Sequence, residues 1–420
     1  MTRVSQFLTL VGLVLGLVAG SPAQDSLNVR RLGQIAYWDV GYAYAVAVVD
    51  TLAYVGADSS GLRIVDVSDP TNPVEVGFCD TPGRTYGVAV SGSYAYVADG
   101  LSGLRVINIA NSTLPVETGF CTTPDWACGV AVSGNYAYVA DEVGGLRVIN
   151  ITNPSAPFEA GFCDTPALAY SVAVSGGYAY VADWVCGLRV VNTTNPSAPT
   201  ESGFFDTPGH AVGVAVAGSC AYVADGSSGF RVINIADPSS PTEAGFYDTP
   251  GDARDVAVSG SYAYVADDWR GLRVVNITNP SAPFEVGFYV TPRLAYGVAV
   301  SGCTAYLAEY TYFSIYDCSA AMSSRDHSRP SVPDRITLEP CYPNPFNAVT
   351  RVPFSLPFAA RVDLKVFDVQ GRLVQNLASR TFDPGSHGIT FDGSGLPSGV
   401  YFVSLTSTDF SAAQRIVLLK

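Results

Sequence analysis

The sequence predicts an all-β protein: a seven-bladed β-propeller of four-stranded blades, then a small immunoglobulin-like β-sandwich. Three observations carry this reading. Val46, Val88, Val130, Val172, Val214, Val256 and Val298 recur every 42 residues, and a fixed period of this size marks a repeat architecture. Each repeat holds four short β-like runs separated by turn residues, the content of one blade. The seventh repeat stops after three runs, at Cys318, while an unclaimed run, Val29–Ala36, precedes the first. Pairing that run with the last, incomplete blade closes the circle and removes two sheet edges.

The elements follow in chain order. Residues 1–23 read as a secretory leader, with Arg3 in a short charged start, an apolar run from Phe7 to Ala19, and the small residues Gly20, Ser21 and Ala23. That run is shorter than the roughly 20 residues a bilayer requires. Gly, Asp or Asn interrupts every later apolar stretch, so no membrane span is expected. Residues 25–318 form the propeller. In the repeat Gly129–Pro166 the first run, Gly129–Ser133, is small and apolar, as convergence on an axis demands. Tyr136–Ala140 alternates Tyr with Ala or Val, so large and small faces of adjacent blades interlock. Leu146–Ile151 is β-branched and Phe158–Cys163 is mixed. Ser-Gly-Asn, a glycine-containing turn and Asn153-Pro154-Ser155-Ala156-Pro157 supply the breaks.

An acidic residue ends each second run: Asp58, Asp99, Asp141, Asp183, Asp225, Asp267 and Glu309. Arg63, Arg105, Arg147, Arg189, Arg231 and Arg273 stand in six third runs, with Ser314 in the seventh. Recurrence in every blade marks both sets as structural, the carboxylates accepting turn N–H groups and the arginines acting as ladder partners. Cys79, Cys121 and Cys163 share a repeat position that Phe205, Tyr247 and Tyr289 fill elsewhere, as packing residues would. Cys303 and Cys318 flank a hairpin nearly symmetrically, which would allow a disulfide.

The recurring Gly-Leu-Arg-Val-Ile-Asn-Ile of Gly103–Ile109, with the diverged Gly61–Val67, resembles the LVIVD-repeat family of bacterial β-propellers. The resemblance implies an exported or surface protein and assigns no activity. Residues 319–337 are polar and Pro/Ser-rich, a linker. Residues 338–420 carry Tyr342-Pro343-Asn344-Pro345-Phe346-Asn347, Phe354–Pro357, Val362–Asp368, Gly371-Arg372 and Gly395–Phe402. This tail resembles the type IX secretion C-terminal sorting domain. The likeness implies the type IX secretion machinery as a partner and a secreted or outer cell-surface location in a Gram-negative bacterium.

Charge and composition narrow the function. The 420 residues carry a formal charge of −14, and residues 24–318 hold 12 Arg, no Lys and 29 Asp or Glu. Acidity on this scale argues against a nucleic-acid grip. The propeller has one histidine, His210, and the chain lacks a nucleophile elbow, a zinc-protease motif and a lysine-bearing phosphate loop. No catalytic residue, metal or cofactor is therefore assigned. The repeats differ most in the turns between second and third runs and in the loops entering each first run, and both emerge on one face of a propeller. All four tryptophans fall there, Trp38 and Trp126 in entry loops and Trp184 and Trp269 in turns. With Tyr310, Tyr312, Asp125, Asp268, Arg270 and His210 they form the expected ligand face, suited to a glycan or a peptide. A secreted binding module is the favoured function. One alternative is an extracellular hydrolase or lyase acting on polysaccharide through carboxylates among Asp125, Asp252, Asp255 and Asp268. The other is a passive surface scaffold; and in place of binding, each Trp could fold back to cap its own blade.

Overall fold

The computed structural model describes residues 26–36, 41–323, 336–338, 341, 344–356, 360–382, 385–407 and 410–419. The leader reading at 1–23, Trp38 and most of the linker lie outside these residues. The chain divides into two compact units, Met1–Ser323 and Ser324–Lys420.

The Tyr/Ala alternation builds the first unit. In one blade, strand a (Gly129–Ser133), strand b (Tyr136–Ala140), strand c (Leu146–Asn150) and strand d (Phe158–Cys163) pair in that order, all antiparallel. Seven sheets repeat this pattern, with inner strands beginning at Ala45, Gly87, Gly129, Ser171, Gly213, Asp255 and Gly297. Each inner strand lies beside the next, and Gly297–Ser301 lies beside Ala45–Val49, so the ring is closed. The core sits between blades. Tyr138, Leu146 and Val148 pack onto Ala179, Val181 and Val191 of the following blade, each buried aliphatic side chain contributing roughly 1.5–3 kcal/mol.

Tight turns keep the strands short. The a–b turn needs a left-handed residue, supplied by glycine in six blades (Gly134 at φ 58°, for example) and by Asp50 at φ 52° in the first. Strand d carries a bulge, and its Gly161 abuts the neighbouring blade: a Cβ there would lie 2.6 Å from the Pro196 carbonyl oxygen. The constant c–d loops are held by their own asparagines, Asn153 Oδ1 accepting from Ser155 N at 3.3 Å and from Ser155 Oγ at 2.8 Å.

Closure occurs as the sequence predicts. Arg30–Ala36 pairs antiparallel with Tyr312–Asp317 and completes the seventh blade. Two additions were not legible. Ser26–Leu27 forms a fifth, outermost strand on blade six, opposite Tyr289 and Phe288. Asn28, at φ 55°, then turns the chain towards blade seven, its Nδ2 donating to the Val286 carbonyl at 2.9 Å. Ser319–Ser323, expected as linker, is a short helix that seals blade six, with Ala321 fully buried and Tyr262 Oη donating to the Met322 carbonyl at 3.4 Å. The disulfide that the spacing of Cys303 and Cys318 would allow is not formed, both thiols being free. Cys303 is exposed, whereas Cys318 is packed among Tyr264, Tyr316 and Ala321. Cys79, Cys121 and Cys163 pack against the inter-blade clusters, in keeping with a packing role.

The second unit is a β-sandwich. Thr337–Leu338, Val349–Leu356 and Gly385–Asp392 form one sheet. Leu373–Phe382, Ala360–Phe367, Gly399–Ser407 and Phe410–Leu418 form the other. Phe354, Phe391, Leu364, Val403 and Ile416 are fully buried between them. The opening motif is tied to the last strand. Asn344 Nδ2 donates to the Arg415 carbonyl and its Oδ1 accepts from Val417 N, both at 2.9 Å, while Phe346 is buried beside Leu418.

Candidate ligand-binding face

The loop face is built on a repeated clamp. In blades two to six the Thr-Pro segment of the entry loop sits above the acidic residue that ends strand b. Asp225 accepts from Thr207 Oγ1 at 2.5 Å and Gly209 N at 2.8 Å, and Asp183 accepts from Thr165 Oγ1 at 2.7 Å and Ala167 N at 3.1 Å. Desolvation nevertheless raises these carboxyls above the usual range, Asp267 to about 6. Below each lies the strand c arginine. Arg231 reaches Asp225 at 3.7 Å, Glu243 at 3.2 Å and Asp248 at 3.6 Å, with its guanidinium 4.6 Å from the Phe246 ring centroid. The arrangement recurs around Arg105, Arg147, Arg189 and Arg273.

The acidic ring departs from the sequence reading in blade one. Ala57 occupies the clamp position there, and Asp58 stands one residue further on. In blade seven Glu309 takes the position without an arginine beneath it. It accepts from Tyr316 Oη, and burial pushes its carboxyl up to about 7.

The residue after the clamp adopts left-handed backbone in every blade. Gly100 and Gly226 suit it, but Asp58, Glu142, Trp184, Asp268 and Tyr310 also sit there, at φ 39–52°. Each makes an isolated bridge with the entry loop alongside, such as Glu142 with Ala169 and Trp184 with Ala211. The side chains facing one another across these bridges are matched. Asp58 pairs with Arg84 at 3.6 Å, Trp184 stacks on His210 at 4.2 Å, and Tyr310 stacks on Tyr42 at 3.9 Å. The Trp126 ring covers the open face of Gly100. Asp268 is gripped by Arg254, Nη2 at 2.7 Å and Nε at 3.0 Å.

Inside this rim lies a second ring, the residues two places before the repeated valines: Tyr44, Tyr86, Cys128, Tyr170, Val212, Arg254 and Tyr296. They surround a funnel of about 430 Å³ whose wall also includes Trp126, Glu142 and Trp184. Aromatic contacts link much of the wall. Tyr44 lies 5.2 Å from Tyr86 and 5.1 Å from Tyr296, Tyr86 lies 5.7 Å from Trp126, and Tyr170 lies 5.2 Å from Trp184. Burial raises the tyrosine hydroxyls, with Asp58 adding to the effect at Tyr44 and Glu142 at Tyr170. At the funnel floor Asp255 stands where other blades have Gly, Ala or Ser. It accepts from Val298 N at 2.9 Å, and loss of solvent pushes its carboxyl up to about 6.

Of the residues expected at a ligand face, Trp126 and Trp184 line this funnel and His210 backs Trp184. Tyr310 belongs to the rim beside Tyr296 at 6.1 Å. Burial raises the Cys128 thiol and the Glu142 carboxyl, and Asp125, close to both, adds to the effect. Trp269 is 65% exposed and lines, with Asp268, Arg270 and Asp252, a separate depression. Tyr312 begins strand c of blade seven, opposite Ala36 of the closing strand. Sequence reasoning missed the tyrosine ring and Glu142 as a wall residue. The tyrosines were visible at the 42-residue period, but their repetition resembled that of the clamp residues.

Comparisons with known proteins agree with this architecture. LVIVD repeats match residues 40–81, 82–123, 126–165, 168–207, 208–249 and 250–291, and a secretion system C-terminal sorting domain matches residues 340–419. No curated protein matches the chain. Among solved structures, a crystal of the computationally designed Ika8 protein aligns over 86% of this chain and 99% of its own, at 8% identity and a TM-score of 0.52, a likeness of fold alone. The tail indicates export to the extracellular space or cell surface of Bacteroidetes-type Gram-negative bacteria and implies contact with the secretion machinery. Tandem matches cover six of the seven blades and more than half of the residues, so the chain belongs to the LVIVD repeat family.

Proposed function

We propose that the propeller is a secreted, non-enzymatic binding module that takes a glycan or peptide ligand on its loop face. One observation carries the reading: seven equivalent positions converge on a single funnel, four of them tyrosines, with Trp126 and Trp184 in the wall. Both indoles are half-buried, so they keep solvent-facing surface as well as contacts within the fold. Aromatic planes with hydroxyls at their edges suit ligands that are part apolar and part polar. A hydrolase would need two carboxylates facing one bond, yet Asp268 is committed to Arg254 and Asp255 to a backbone N–H.

The test is retention of the full-length protein on glycan and peptide arrays, beside the Trp126→Ala/Trp184→Ala variant. The expected result is a discrete ligand set that the variant loses while its melting temperature stays within a few degrees. Unchanged retention by a folded variant overturns the reading. Release of reducing sugar from a polysaccharide would replace it with the hydrolase.

A further inference from the structure

The funnel is electrostatically lopsided. Arg254 in its wall is already neutralised by Asp268 at 2.7 Å with Asp252 at 3.7 Å, and Arg84 beside it by Asp58 at 3.6 Å. Glu142 is different. Its carboxylate lines the funnel between Trp126 and Trp184, and among the described residues no arginine or lysine pairs with it. Its hydrogen-bond partner is the Cys128 thiol, 3.8 Å away. The loop beside its bridge presents Leu168, where Asp58 meets Arg84. Asp125, close by, likewise has no ion-pair partner among the described residues and adds its field to the same side. A region of 295 residues with 29 acidic side chains and 12 arginines draws cations towards this opening.

We infer that the funnel binds an organic cation, an alkylated ammonium group held against the faces of Trp126, Trp184, Tyr86 and Tyr170 with Glu142 as its counter-charge. Ring faces carry the negative end of the aromatic quadrupole and attract a weakly hydrated cation within about 6 Å, most strongly where water is excluded. A sugar could stack on the rings and donate hydroxyls to Glu142 and Asp125 but would leave their charge unpaired on desolvation, whereas a cation neutralises it. This rests on the binding reading above and narrows it to one ligand chemistry. The group can arrive as a free small molecule or on a peptide side chain.

The experiment follows tryptophan fluorescence of the full-length protein in titrations with choline, with a short peptide bearing one trimethyllysine, and with 3,3-dimethyl-1-butanol, the uncharged isostere of choline. Saturation by choline or by the peptide, at least tenfold tighter than by the alcohol, is expected. Choline alone would identify a free ligand and the peptide alone a peptide-borne one. Glu142→Gln should weaken the cation about tenfold. Glu142→Gly should do the same, and it places at this backbone the residue that Gly100 and Gly226 already show to fit, so its melting temperature guards against loss of fold. Equal binding of alcohol and cation, no saturation by either cation, or an unaltered Glu142→Gln overturns the inference. Array retention without cation preference would leave the binding face intact and remove only this ligand class, whereas no retention of any kind removes both.

Discussion

Glu309 gives the seam of the ring a pH dependence that can be worked through. The side chain is fully buried at the end of strand b in blade seven (Thr304–Glu309), the sheet completed by the N-terminal strand. The five clamp carboxylates of blades two to six each have an arginine in strand c, but Ser314 stands here, and Tyr316 Oη is the donor. Arg31 is the cation that acts on it, without offsetting its burial. The folded carboxyl is raised from 4.5 to about 7, so the folded state holds a proton that the unfolded chain releases above its ordinary carboxyl range. The stabilisation is complete below about pH 4.5 and is lost as pH rises through about 7. At 1.36 kcal/mol per pH unit, the displacement corresponds to about 3 kcal/mol between those limits. Asp255 and Asp267 are raised in the same sense, so the whole protein's profile cannot isolate Glu309. Comparison with Glu309→Gln can, because the amide stays neutral at every pH. Thermal unfolding should show variant and parent alike near pH 5, and the variant more stable by roughly 5 °C near pH 8. Parallel pH profiles for the two proteins would refute the argument.

Two further outcomes follow from the same structure. Asp225→Ala leaves Thr207 Oγ1 and Gly209 N without their acceptor and takes one of three carboxylates from Arg231, so it should cost about 2–3 kcal/mol in chemical unfolding, and a cost under about 1 kcal/mol would show that the clamp does not hold the entry loop. Removing residues 26–36 uncovers the outer edge of Tyr312–Asp317 and of Phe284–Tyr289, so light scattering should report self-association and calorimetry a lower melting temperature; a stable monomer would mean that closure contributes little.

Much of the fold was legible because its causes are local and repeated. The Val spacing, the Tyr/Ala alternation and the orphan Val29–Ala36 run each reflect a packing requirement that every blade must meet, and seven copies average away local noise. Asp58 shows where that logic slips: it is an acidic residue one place from the clamp, and Ala57 holds the aligned position. Ser26–Leu27 was not legible, since two residues carry no periodicity, and its pairing with blade six depends on a turn at Asn28 that brings together segments 258 residues apart. That Cys303 and Cys318 stay apart was not legible for a related reason. Proximity along a hairpin says nothing of side-chain direction, and here one thiol faces solvent while the other faces the core. The candidate site divided along the same line. Divergent residues such as Trp126 and Trp184 stood out, whereas the tyrosine ring hid within the repeat.

Backbone strain gives a separate reason to look at Glu142. A left-handed conformation costs an ordinary residue roughly 1–2 kcal/mol, and glycine avoids it, as Gly100 and Gly226 do in this chain. Five blades carry the cost. In four of them the side chain recovers it inside the fold: Asp58 with Arg84, Trp184 with His210, Asp268 with Arg254, and Tyr310 with Tyr42. Glu142 recovers little, because a single long thiol contact is weak and burial disfavours its charge. A strained residue whose own contacts do not compensate for it is a candidate for a role outside the fold. The left-handed backbone of Glu142 thus adds to its lack of a counter-charge as a mark of the same wall of the funnel.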